Sequence, residues 1–494
     1  MQHGADSPLE IRDGVAHHRL FIDGTWVNSS HHSIIKDIDP STGKLYAWVE
    51  QAGMEEIEQA IATAHRASKT WGSSLASERE AVLAQAANVL IARTDEIRDV
   101  LVKESGSTAG KAMYEIAYGI DLLRIAAGSV RQVLGETMPM TMPGQISMTF
   151  RRPLGVVAGI SPFNAPFLLA IKKVVPALAS GNSFILKPSE ETPVVGLKIA
   201  EIFQQAGLPA GVLNVIPGPA QLIGERFLTD PRVRMITYTG SAAVGRYLAV
   251  EAARNQKRFI LELGGKNPLI ILKDANLDYA VRAAAFGVFF HQGQVCMANA
   301  RVIVEEPLYE KFSERFAEKA ASVKVGDASD PETIVGPLIR RSQCEFIDAQ
   351  VKEALDKGAR LLTSGTHREL FYAPTVLADV TREMRQYGEE SFGPVATVYR
   401  ARDAEHALEL ANDTSHGLSS ALITNDLQKA FDLSLRLDAG MVHVNDCTVS
   451  DEPHVPFGGV KGSGTGREGN LYSIEEMTEP KWVTFQLGER SLSI

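Results

Sequence analysis

Residues 233–246 read VRMITYTGSAAVGR, an apolar run that ends in a glycine-containing turn and continues into a helical stretch. The first half has the β-branched composition of a buried strand. Gly240, Ser241 and Gly245 follow it, where the N-terminal amides of a helix could bind a pyrophosphate. A plain strand-to-helix turn explains such a stretch about equally often, so the neighbouring sequence decides the interpretation.

Similar apolar runs flank this stretch and alternate with helical segments: LGVVAGI (154–160), NSFILKP (182–188), LNVIPG (213–218) and RFILELGG (258–265). This alternation predicts a parallel, doubly wound sheet. A second series follows Gly265, with PLIIL (268–272), a helix over 277–290, RVIVEE (301–306) and a helix over 308–323. The fold class is therefore α/β, with two doubly wound domains in tandem and ligands expected beyond the carboxyl ends of the strands.

The first third of the chain is interpreted as helical. Apolar residues recur at helical spacing over 54–68 and 77–93. Ser77 and Glu80 have the spacing of a capping box at the start of the second helix.

Composition narrows the class of protein further. The chain has 494 residues, 45% of them hydrophobic and 22% charged, and a net charge of -10, which argues against a nucleic-acid partner. Three well-separated cysteines, Cys296, Cys344 and Cys447, do not form a disulfide framework, so we expect a reducing, cytoplasmic location. No targeting peptide and no uninterrupted run of about 18 apolar residues occurs, so no membrane span is expected.

A literal GxGxxG motif occurs at Gly464, Gly466 and Gly469. It follows no predicted strand, and too little chain remains after it to complete a βαβ unit. We therefore interpret it as a glycine-rich turn and reject it as a dinucleotide fingerprint.

Polar residues that packing does not require follow several of the apolar runs. Cys296 lies in HQGQVCMA, a predicted loop that suits an exposed nucleophile, although a lone cysteine is more often a small buried residue. A thiol needs a base or positive charge to form a thiolate, and Glu262 of LELGGK is the candidate base. Asn164 of SPFNAP and the amide of Cys296 could stabilise an oxyanion, although alone each would be interpreted as structural.

Seven motifs in this order resemble the aldehyde dehydrogenase family: SPFNAP, KPSE, TGS followed by Gly245, LELGGK, GQVC, ESFGPV and PFGGVKGSGTGRE. The similarity spans residues 150 to 480. It implies NAD(P)-dependent oxidation of an aldehyde to a carboxylic acid through a thiohemiacetal and a thioester. By this resemblance Cys296 is the nucleophile, Asn164 the oxyanion donor and Glu262 the base that activates water, while Lys173 and Glu468 form a buried proton-relay pair.

The resemblance also implies a set of cofactor-binding residues. In it, Lys187 and Glu190 bind the adenosine ribose, Gly240 and Ser241 lie by the pyrophosphate, and Glu390 holds the nicotinamide ribose. Because a carboxylate at Glu190 would repel a 2'-phosphate, NAD is preferred, with NADP use left open. The complete predicted set is Ile160, Ser161, Phe163, Lys187, Ser189, Glu190, Gly240, Ser241, Gly245, Leu263, Gly264, Glu390 and Phe392.

The domain arrangement follows from the same resemblance. Residues 1–130 and 151–262 form the NAD-binding domain, 263–462 the catalytic domain, and 131–150 with 479–494 a small oligomerisation sheet. Stretches 137–152 and 482–487 alternate apolar and polar residues like exposed strands, which need a partner to cover them. A homodimer or homotetramer is expected.

Substrate class and alternatives rest on fewer residues. Aromatic and apolar residues near the motifs favour an aromatic or medium-chain aldehyde: Phe163, Phe167, Leu168, Phe289, Phe290, Met297 and Phe457. Lys172 departs from the family, in which an apolar aromatic residue is frequent there. Three alternatives stay open: an enzyme that transfers the acyl group to coenzyme A, a cofactor-independent thiol esterase, and a catalytically inactive relative. No metal site is predicted.

Overall fold

A computed structural model describes residues 7–492 of the chain. Residues 1–6 and 493–494, which belong to the predicted terminal segments, lie outside the described residues. Within 7–492, no helix is both long enough and apolar enough to cross a membrane.

The first third of the chain contains strands as well as helices, so its prediction as helical was wrong for residues 9–50. Strands this short, with no sustained alternation of apolar and polar residues, leave little pattern to detect. The elements are β1 (Leu9–Arg12), β2 (Val15–His18), β3 (Leu20–Ile22), β4 (Thr25–Val27), β5 (Ile34–Asp39), β6 (Lys44–Glu50), α1 (Met54–Trp71), α2 (Ala76–Ala92), α3 (Thr94–Ser105) and α4 (Ala109–Ser129).

The predicted capping box at Ser77 and Glu80 was also wrong. Helix α2 begins one residue earlier, and its capping carboxylate is that of Glu78, which accepts a 2.8 Å hydrogen bond from the amide of Leu75. Glu80 instead forms a 2.7 Å ion pair with Arg131. The repeated acidic residues of this turn left the register ambiguous.

The middle of the chain alternates strands and helices as the sequence predicts. Its apolar runs form strands that are buried on both faces, as in β9, because helices cover both sides of a parallel sheet. The elements are β7 (Gln145–Pro153), β8 (Val156–Ile160), α5 (Pro166–Ala179), β9 (Ser183–Lys187), α6 (Pro193–Gln205), β10 (Leu213–Val215), α7 (Ala220–Thr229), β11 (Val233–Thr239), α8 (Ala242–Arg254) and β12 (Arg258–Glu262).

The last part of the chain forms the second α/β series. Short 3-10 helices occupy Val130–Gln132, Phe290–Gly293 and Lys461–Ser463. The other elements are β13 (Pro268–Ile271), α9 (Leu277–Phe289), β14 (Arg301–Glu305), α10 (Glu306–Ala321), α11 (Arg341–Asp356), β15 (Arg360–Leu361), β16 (His367–Arg368), β17 (Phe371–Tyr372), β18 (Thr375–Ala378), α12 (Arg385–Gly388), β19 (Val395–Ala401), α13 (Ala404–Asn412), β20 (Ser419–Ile423), α14 (Leu427–Arg436), β21 (Met441–Val444), β22 (Gly464–Thr465), α15 (Asn470–Glu476) and β23 (Thr478–Gln486).

Two large sheets organise the molecule, which confirms the predicted fold class. The first has the order β22-β12-β11-β8-β9-β10-β3-β4, and its five strands from β12 to β10 are parallel. The second has the order β15-β18-β19-β14-β13-β20-β21, parallel from β18 to β21. Strands β8, β11 and β12 therefore end at one edge of the first sheet, which is where the predicted functional residues begin.

A separate two-stranded ribbon joins β7 to β23. The strands pair antiparallel from Thr478 opposite Pro153 to Gln486 opposite Gln145. Strand β23 is largely exposed and most of β7 is half-buried, with Trp482 and Phe150 among the exposed apolar side chains of the pair. The segments predicted to form the small sheet thus pair with each other, and β7 continues three residues beyond the predicted boundary.

Candidate active site

A cavity of about 260 Å³ lies at the carboxyl ends of β11 and β12 and against the turn that carries Cys296. Most of the residues that the sequence predicts for catalysis or cofactor binding line this cavity. The lining consists of Pro162, Phe163, Asn164, Thr239, Gly240, Ser241, Glu262, Leu263, Gly264, Cys296, Arg340, Gln343, Phe346, Glu390 and Phe392.

Cys296 follows a backbone segment with an unusual conformation. His291, Gln292 and Gly293 all have positive φ angles, of 47°, 57° and 69°. A side chain at Gly293 would place its Cβ 2.1 Å from the carbonyl oxygen of Gly393, so only glycine fits there. Left-handed residues other than glycine are costly and persist only where the surroundings enforce them. The side chain of Gln292 does so here, because it donates hydrogen bonds to two carbonyls of neighbouring loops.

A buried asparagine fixes the main chain that runs from Cys296 to Ala298. The amide of Asn267 donates to the carbonyl of Cys296 at 2.8 Å and to that of Ala298 at 3.0 Å. Cys296 itself is half-buried in the cavity wall. The thiol is therefore held in a defined position and faces the cavity.

The described surroundings of Cys296 favour its protonated thiol, although the charge of Lys172 acts in the opposite direction. Removal from water raises the pKa of this thiol above the usual range, and the nearby carboxylates of Glu390 and Glu262 raise it further. The sequence predicts that the thiol needs nearby positive charge, a dipole or a base to form a thiolate. With the pKa raised, a base must remove the proton of the thiol.

Glu262 is the last residue of β12 and is buried with no hydrogen bond to either carboxylate oxygen from residues 7–492. Burial, followed by the charge of Glu468, holds its pKa well above the usual carboxyl range. A carboxyl group with a raised pKa can accept a proton and return it near neutral pH, as a general base requires. The environment of Glu262 thus fits its predicted role.

Asn164 is buried, and its side-chain amide donates a 2.9 Å hydrogen bond to the carbonyl of Gln294, two residues before Cys296. A carboxamide has a second N–H that this bond does not use. The side chain is therefore anchored to the loop that carries Cys296 and retains a donor for the cavity it lines.

Two further residues support Asn164 and were missed from the sequence. The ammonium of Lys111 donates a 2.6 Å hydrogen bond to the main-chain carbonyl of Asn164 and forms an ion pair with Glu115. Glu115 in turn accepts hydrogen bonds from the amides of Phe167 and Leu168 at the start of α5. In the sequence this pair has the spacing of a solvent-exposed pair on a helix, and only its burial reveals its role.

Lys173 and Glu468 form a fully buried ion pair, but they do not line the cavity. Lys173 also donates to the hydroxyl of Thr239 at 2.6 Å, and Thr237 contacts the same carboxylate oxygen of Glu468 at 3.3 Å. The second Glu468 oxygen has no hydrogen-bond partner among the described residues. The pair therefore acts on Glu262 through its charge, from behind the cavity.

The rejected glycine motif explains how Glu468 reaches this position. Gly464 and Thr465 form β22, which pairs antiparallel with the end of β12 at Glu262. A Cβ at Gly469 would lie 1.9 Å from the carbonyl oxygen of Val455. These glycines allow neighbouring main-chain segments to pack closely beside the end of β12, which is a structural role rather than the binding of a phosphate.

The turn at Gly240 and Ser241 has the form expected of a phosphate site. Ser241 is the N-cap of α8 and accepts a hydrogen bond from the amide of Val244, while the amide of Gly240 bonds to the carbonyl of Glu262. Gly245 lies against Leu263, and a Cβ there would come within 2.4 Å of the leucine side chain. The N-terminus of a 13-residue helix therefore opens on the cavity.

The predicted ribose residues form a second cluster at the same edge of the sheet, outside the cavity wall. The side chains of Lys187 and Glu190 form a 3.3 Å ion pair, and Glu190 also accepts a 2.8 Å hydrogen bond from the amide of Ala220. Burial lowers the pKa of Lys187. The backbone of Ser161 bonds to that of Lys187, while Ile160 ends β8 and Ser189 caps the following turn.

Glu390 and Phe392 form the opposite wall of the cavity. Glu390 accepts a hydrogen bond from the amide of Gly265, and burial raises its pKa to about 7. A Cβ at Gly264 would lie 2.1 Å from the Glu390 carboxylate, so glycine is required for this approach. The rings of Phe392 and Phe163 meet edge to face, with centroids 5.9 Å apart. A bound dinucleotide would fit this arrangement: the N-terminus of α8, the carboxylates of Glu190 and Glu390, and the apolar rings of Phe163 and Phe392.

Three residues of the cavity wall carry no motif and were not predicted. Arg340, Gln343 and Phe346 come from the start of α11. The side chain of Gln343 donates a 2.7 Å hydrogen bond to the carbonyl of Ser391, which ties this helix to the wall that Glu390 forms. Only the packing of α11 on that wall reveals them.

Some of the predicted apolar pocket is core instead. Phe167 and Phe289 are fully buried in the two main cores, whereas Phe457 and Met297 pack with Cys296. His291 is buried and its ring makes no hydrogen bond within the described chain, so it forms no base for the thiol. Residues 7–492 contain no group of three side chains able to hold a metal ion.

Comparison with known proteins agrees with this geometry. The model of the aldehyde dehydrogenase family matches residues 26–483. A vanillin dehydrogenase of Pseudomonas fluorescens is 42% identical over 92% of this chain and 95% of its own, and a benzaldehyde dehydrogenase of Bacillus subtilis is 39% identical over 96% and 98%. The crystal structure of a salicylaldehyde dehydrogenase from Pseudomonas putida G7, complexed with salicylaldehyde, superimposes with a TM-score of 0.95 at 35% identity, over 97% of this chain and 100% of that one.

The family match covers nearly the whole chain, and the relatives are of nearly the same length. Members of this family use NAD(P) and oxidise aldehydes. The chain therefore belongs to the aldehyde dehydrogenase family and is an NAD(P)-dependent oxidoreductase that acts on the aldehyde group.

Proposed function

We propose that Cys296, Glu262 and Asn164 carry out the oxidation. The observation that carries this proposal is that a thiol, a carboxyl group without hydrogen bonds and an amide donor line one cavity. Cys296 loses its proton to Glu262, and its sulfur attacks the aldehyde carbon to form a thiohemiacetal. Asn164 and the amide of Cys296 donate hydrogen bonds to the resulting oxyanion.

A nicotinamide dinucleotide held in this cavity would supply the acceptor for the hydride of the thiohemiacetal carbon, and loss of that hydride would leave a thioester on Cys296. Glu262 must first give up the proton it received from Cys296, and it then takes a proton from water as the water oxygen attacks the thioester carbonyl. The carbon–sulfur bond breaks, the acid leaves, and Glu262 returns its proton to the Cys296 sulfur. Lys173 and Glu468 are proposed to pass the proton on from Glu262, which their charge already influences.

We also propose that NAD is preferred to NADP. Glu190 is held by Lys187 and by the amide of Ala220, which fixes its carboxylate beside the proposed ribose site. A fixed carboxylate accepts a hydrogen bond from a 2'-hydroxyl and repels a 2'-phosphate. Ser241 and the first turn of α8 would hold the pyrophosphate, and Glu390 the second ribose.

An aromatic aldehyde is the proposed substrate. The relatives named above act on benzaldehyde, vanillin or salicylaldehyde. In this chain Cys296 and Met297 pack against a buried cluster of Leu418, Met441 and Phe457, so an aromatic ring bound at the sulfur would meet an apolar surface. The presence of Glu262 argues against transfer to coenzyme A, and the lack of a histidine partner for Cys296 within residues 7–492 argues against a thiol esterase.

We propose that the protein is a cytoplasmic homodimer or homotetramer. The exposed β7–β23 ribbon supports an assembly, because an uncovered apolar strand pair favours pairing with another chain. The three free cysteines support a reducing location. The two parallel sheets, with β12 as the last parallel strand of the first, support a cofactor domain and a catalytic domain.

The test is the rate of NADH formation with a panel of aromatic, aliphatic and charged aldehydes, with NAD and NADP measured separately. We expect the highest kcat/KM for an aromatic aldehyde with NAD, and no turnover for Cys296→Ala that still binds NAD. A faster reaction with aliphatic or charged aldehydes would contradict the proposed substrate class. Full activity of Cys296→Ala would contradict the mechanism.

A further inference from the structure

A buried charged pair lies one aromatic ring away from the nucleophile. Cys296 packs against a small buried cluster that contains Phe457, and the ammonium of Lys172 lies over the ring of Phe457, 3.8 Å from its centroid. Lys172 is almost fully buried and forms a 2.6 Å ion pair with Asp451. Burying two charges costs solvation that the pair itself recovers only in part, so their presence here calls for a purpose.

Two buried polar atoms beside this ion pair lack a hydrogen bond of good geometry with the described residues. Asp451 Oδ2 contacts Lys172, whereas Asp451 Oδ1 has no hydrogen-bond partner among residues 7–492. The hydroxyl of Tyr118, on α4, is also buried and lies beside the Asp451 carboxylate, although it makes no hydrogen bond of good geometry with the described residues. Burial, followed by the charge of Asp451, raises the pKa of the Tyr118 phenol, which stays protonated and able to donate.

These two atoms are complementary to one chemical group. Asp451 Oδ1 can only accept a hydrogen bond, and the Tyr118 hydroxyl can donate one. A hydroxyl group placed between them would satisfy both. A carboxylate would gain less, because Lys172 is already neutralised and Asp451 would repel it. An alkyl group would leave both buried atoms unsatisfied, which costs stability or affinity.

We propose that Asp451 and Tyr118, oriented by Lys172, recognise the ring hydroxyl of a hydroxylated aromatic aldehyde. This inference rests on the proposed oxidation of aromatic aldehydes at Cys296. The ring would lie against Phe457, between the sulfur and the polar pair. Tyr118 on α4, Lys172 on α5 and Asp451 in the loop before Phe457 converge on this position from three segments. The main chain of Asp451 is held there by a hydrogen bond from the hydroxyl of Tyr114.

The test compares kcat and KM for benzaldehyde with those for the three hydroxybenzaldehyde isomers, with NAD and at a pH where the phenol is protonated. For the unmodified enzyme we expect one isomer to have a KM about tenfold lower than benzaldehyde, as one buried hydrogen bond would produce. In Tyr118→Phe this ratio should fall towards one, with the change in KM rather than in kcat. Asp451→Asn should lower it as well and serves if Tyr118→Phe does not fold.

A matched control is Tyr372→Phe, which removes another buried tyrosine hydroxyl, one that bonds to Asp348 in the second α/β series. This variant should keep the preference for the hydroxylated substrate. Oxidation of benzaldehyde with no preference for any isomer would overturn this inference and leave the proposed function standing. Equal losses for both substrates in Tyr118→Phe would also overturn it. No oxidation of any aromatic aldehyde would overturn both.

Discussion

The ammonium of Lys111 donates a 2.6 Å hydrogen bond to the main-chain carbonyl of Asn164. The same ammonium is paired with Glu115, whose carboxylate holds the first amides of α5. A buried ion pair on α4 thus positions both the turn that carries Asn164 and the helix that follows it.

Replacement of Lys111 by methionine should lower both stability and kcat. The substitution leaves the Glu115 charge buried without its partner, which costs about 3 kcal/mol of unfolding free energy. It also frees the turn of Asn164, and a small displacement of a catalytic group can cost about a hundredfold in rate. Urea unfolding and steady-state kinetics measure the two effects. A normal kcat in a folded Lys111→Met variant would show that the pair does not position Asn164.

The direct role of Asn164 is tested by Asn164→Ala. Loss of one oxyanion donor should reduce kcat by about a hundredfold to a thousandfold. The dissociation constant for NAD, measured by fluorescence titration, should change little, because the proposed NAD contacts lie elsewhere. A loss confined to NAD binding would reassign Asn164 to the cofactor site.

The rate of the first turnover should increase with pH. The pKa values of Cys296 and Glu262 are both raised, so at low pH both groups are protonated and neither nucleophile nor base is available. Stopped-flow measurement of the NADH burst from about pH 6 to about pH 9 should show this increase. A burst rate independent of pH would mean that neither group ionises in that step.

The stability of the protein should also depend on pH because of Glu262. Because the pKa of Glu262 is raised in the folded chain, its contribution to stability is complete below the usual carboxyl pKa, about 4, and is lost as pH rises towards the folded value. Gln cannot ionise, so the Tm of Glu262→Gln should exceed that of the unmodified protein by a margin that grows from acid to neutral pH. A constant margin would contradict the raised pKa.

The choice of cofactor should depend on Glu190. Glu190→Gln removes the charge that opposes a 2'-phosphate, so the KM for NADP should fall about tenfold while that for NAD changes less. The matched control is Glu191→Gln, the adjacent residue, which pairs with Arg340. An equal effect of both substitutions would indicate a general loss of negative charge rather than a contact with the ribose.

Sequence reasoning predicted what depends on local pattern. The strand and turn at 233–246 were predictable because a strand buried on both faces needs an unbroken apolar run, and the turn after it needs small residues. Cys296, Glu262 and Asn164 were predicted as one site because each follows such a run. Asn164 and Glu262 converge because β8 and β12 are parallel strands that end at one edge, whereas Cys296 reaches the cavity from the turn between α9 and β14.

Residues that act through long-range burial were not predictable in this way. Lys111 and Asp451 carry the charge of surface residues, and only tertiary packing places them in the interior. Lys172 was noted as a departure from the family, but nothing in the sequence pairs it with Asp451. The N-terminal strands were missed because each is too short to show a period.

In the proposed mechanism the substrate becomes covalently attached to Cys296, and Glu262 promotes its release. Glu262→Gln should be mixed with NAD and benzaldehyde, quenched in acid, and measured by intact-protein mass spectrometry with peptide mapping. We expect a mass increase of one benzoyl group on the peptide that contains Cys296; the adduct should form slowly, because the base that deprotonates the thiol is missing, and persist, because the base that activates water is missing too. No acyl adduct on Cys296, in a variant that still forms one equivalent of NADH, would contradict this mechanism.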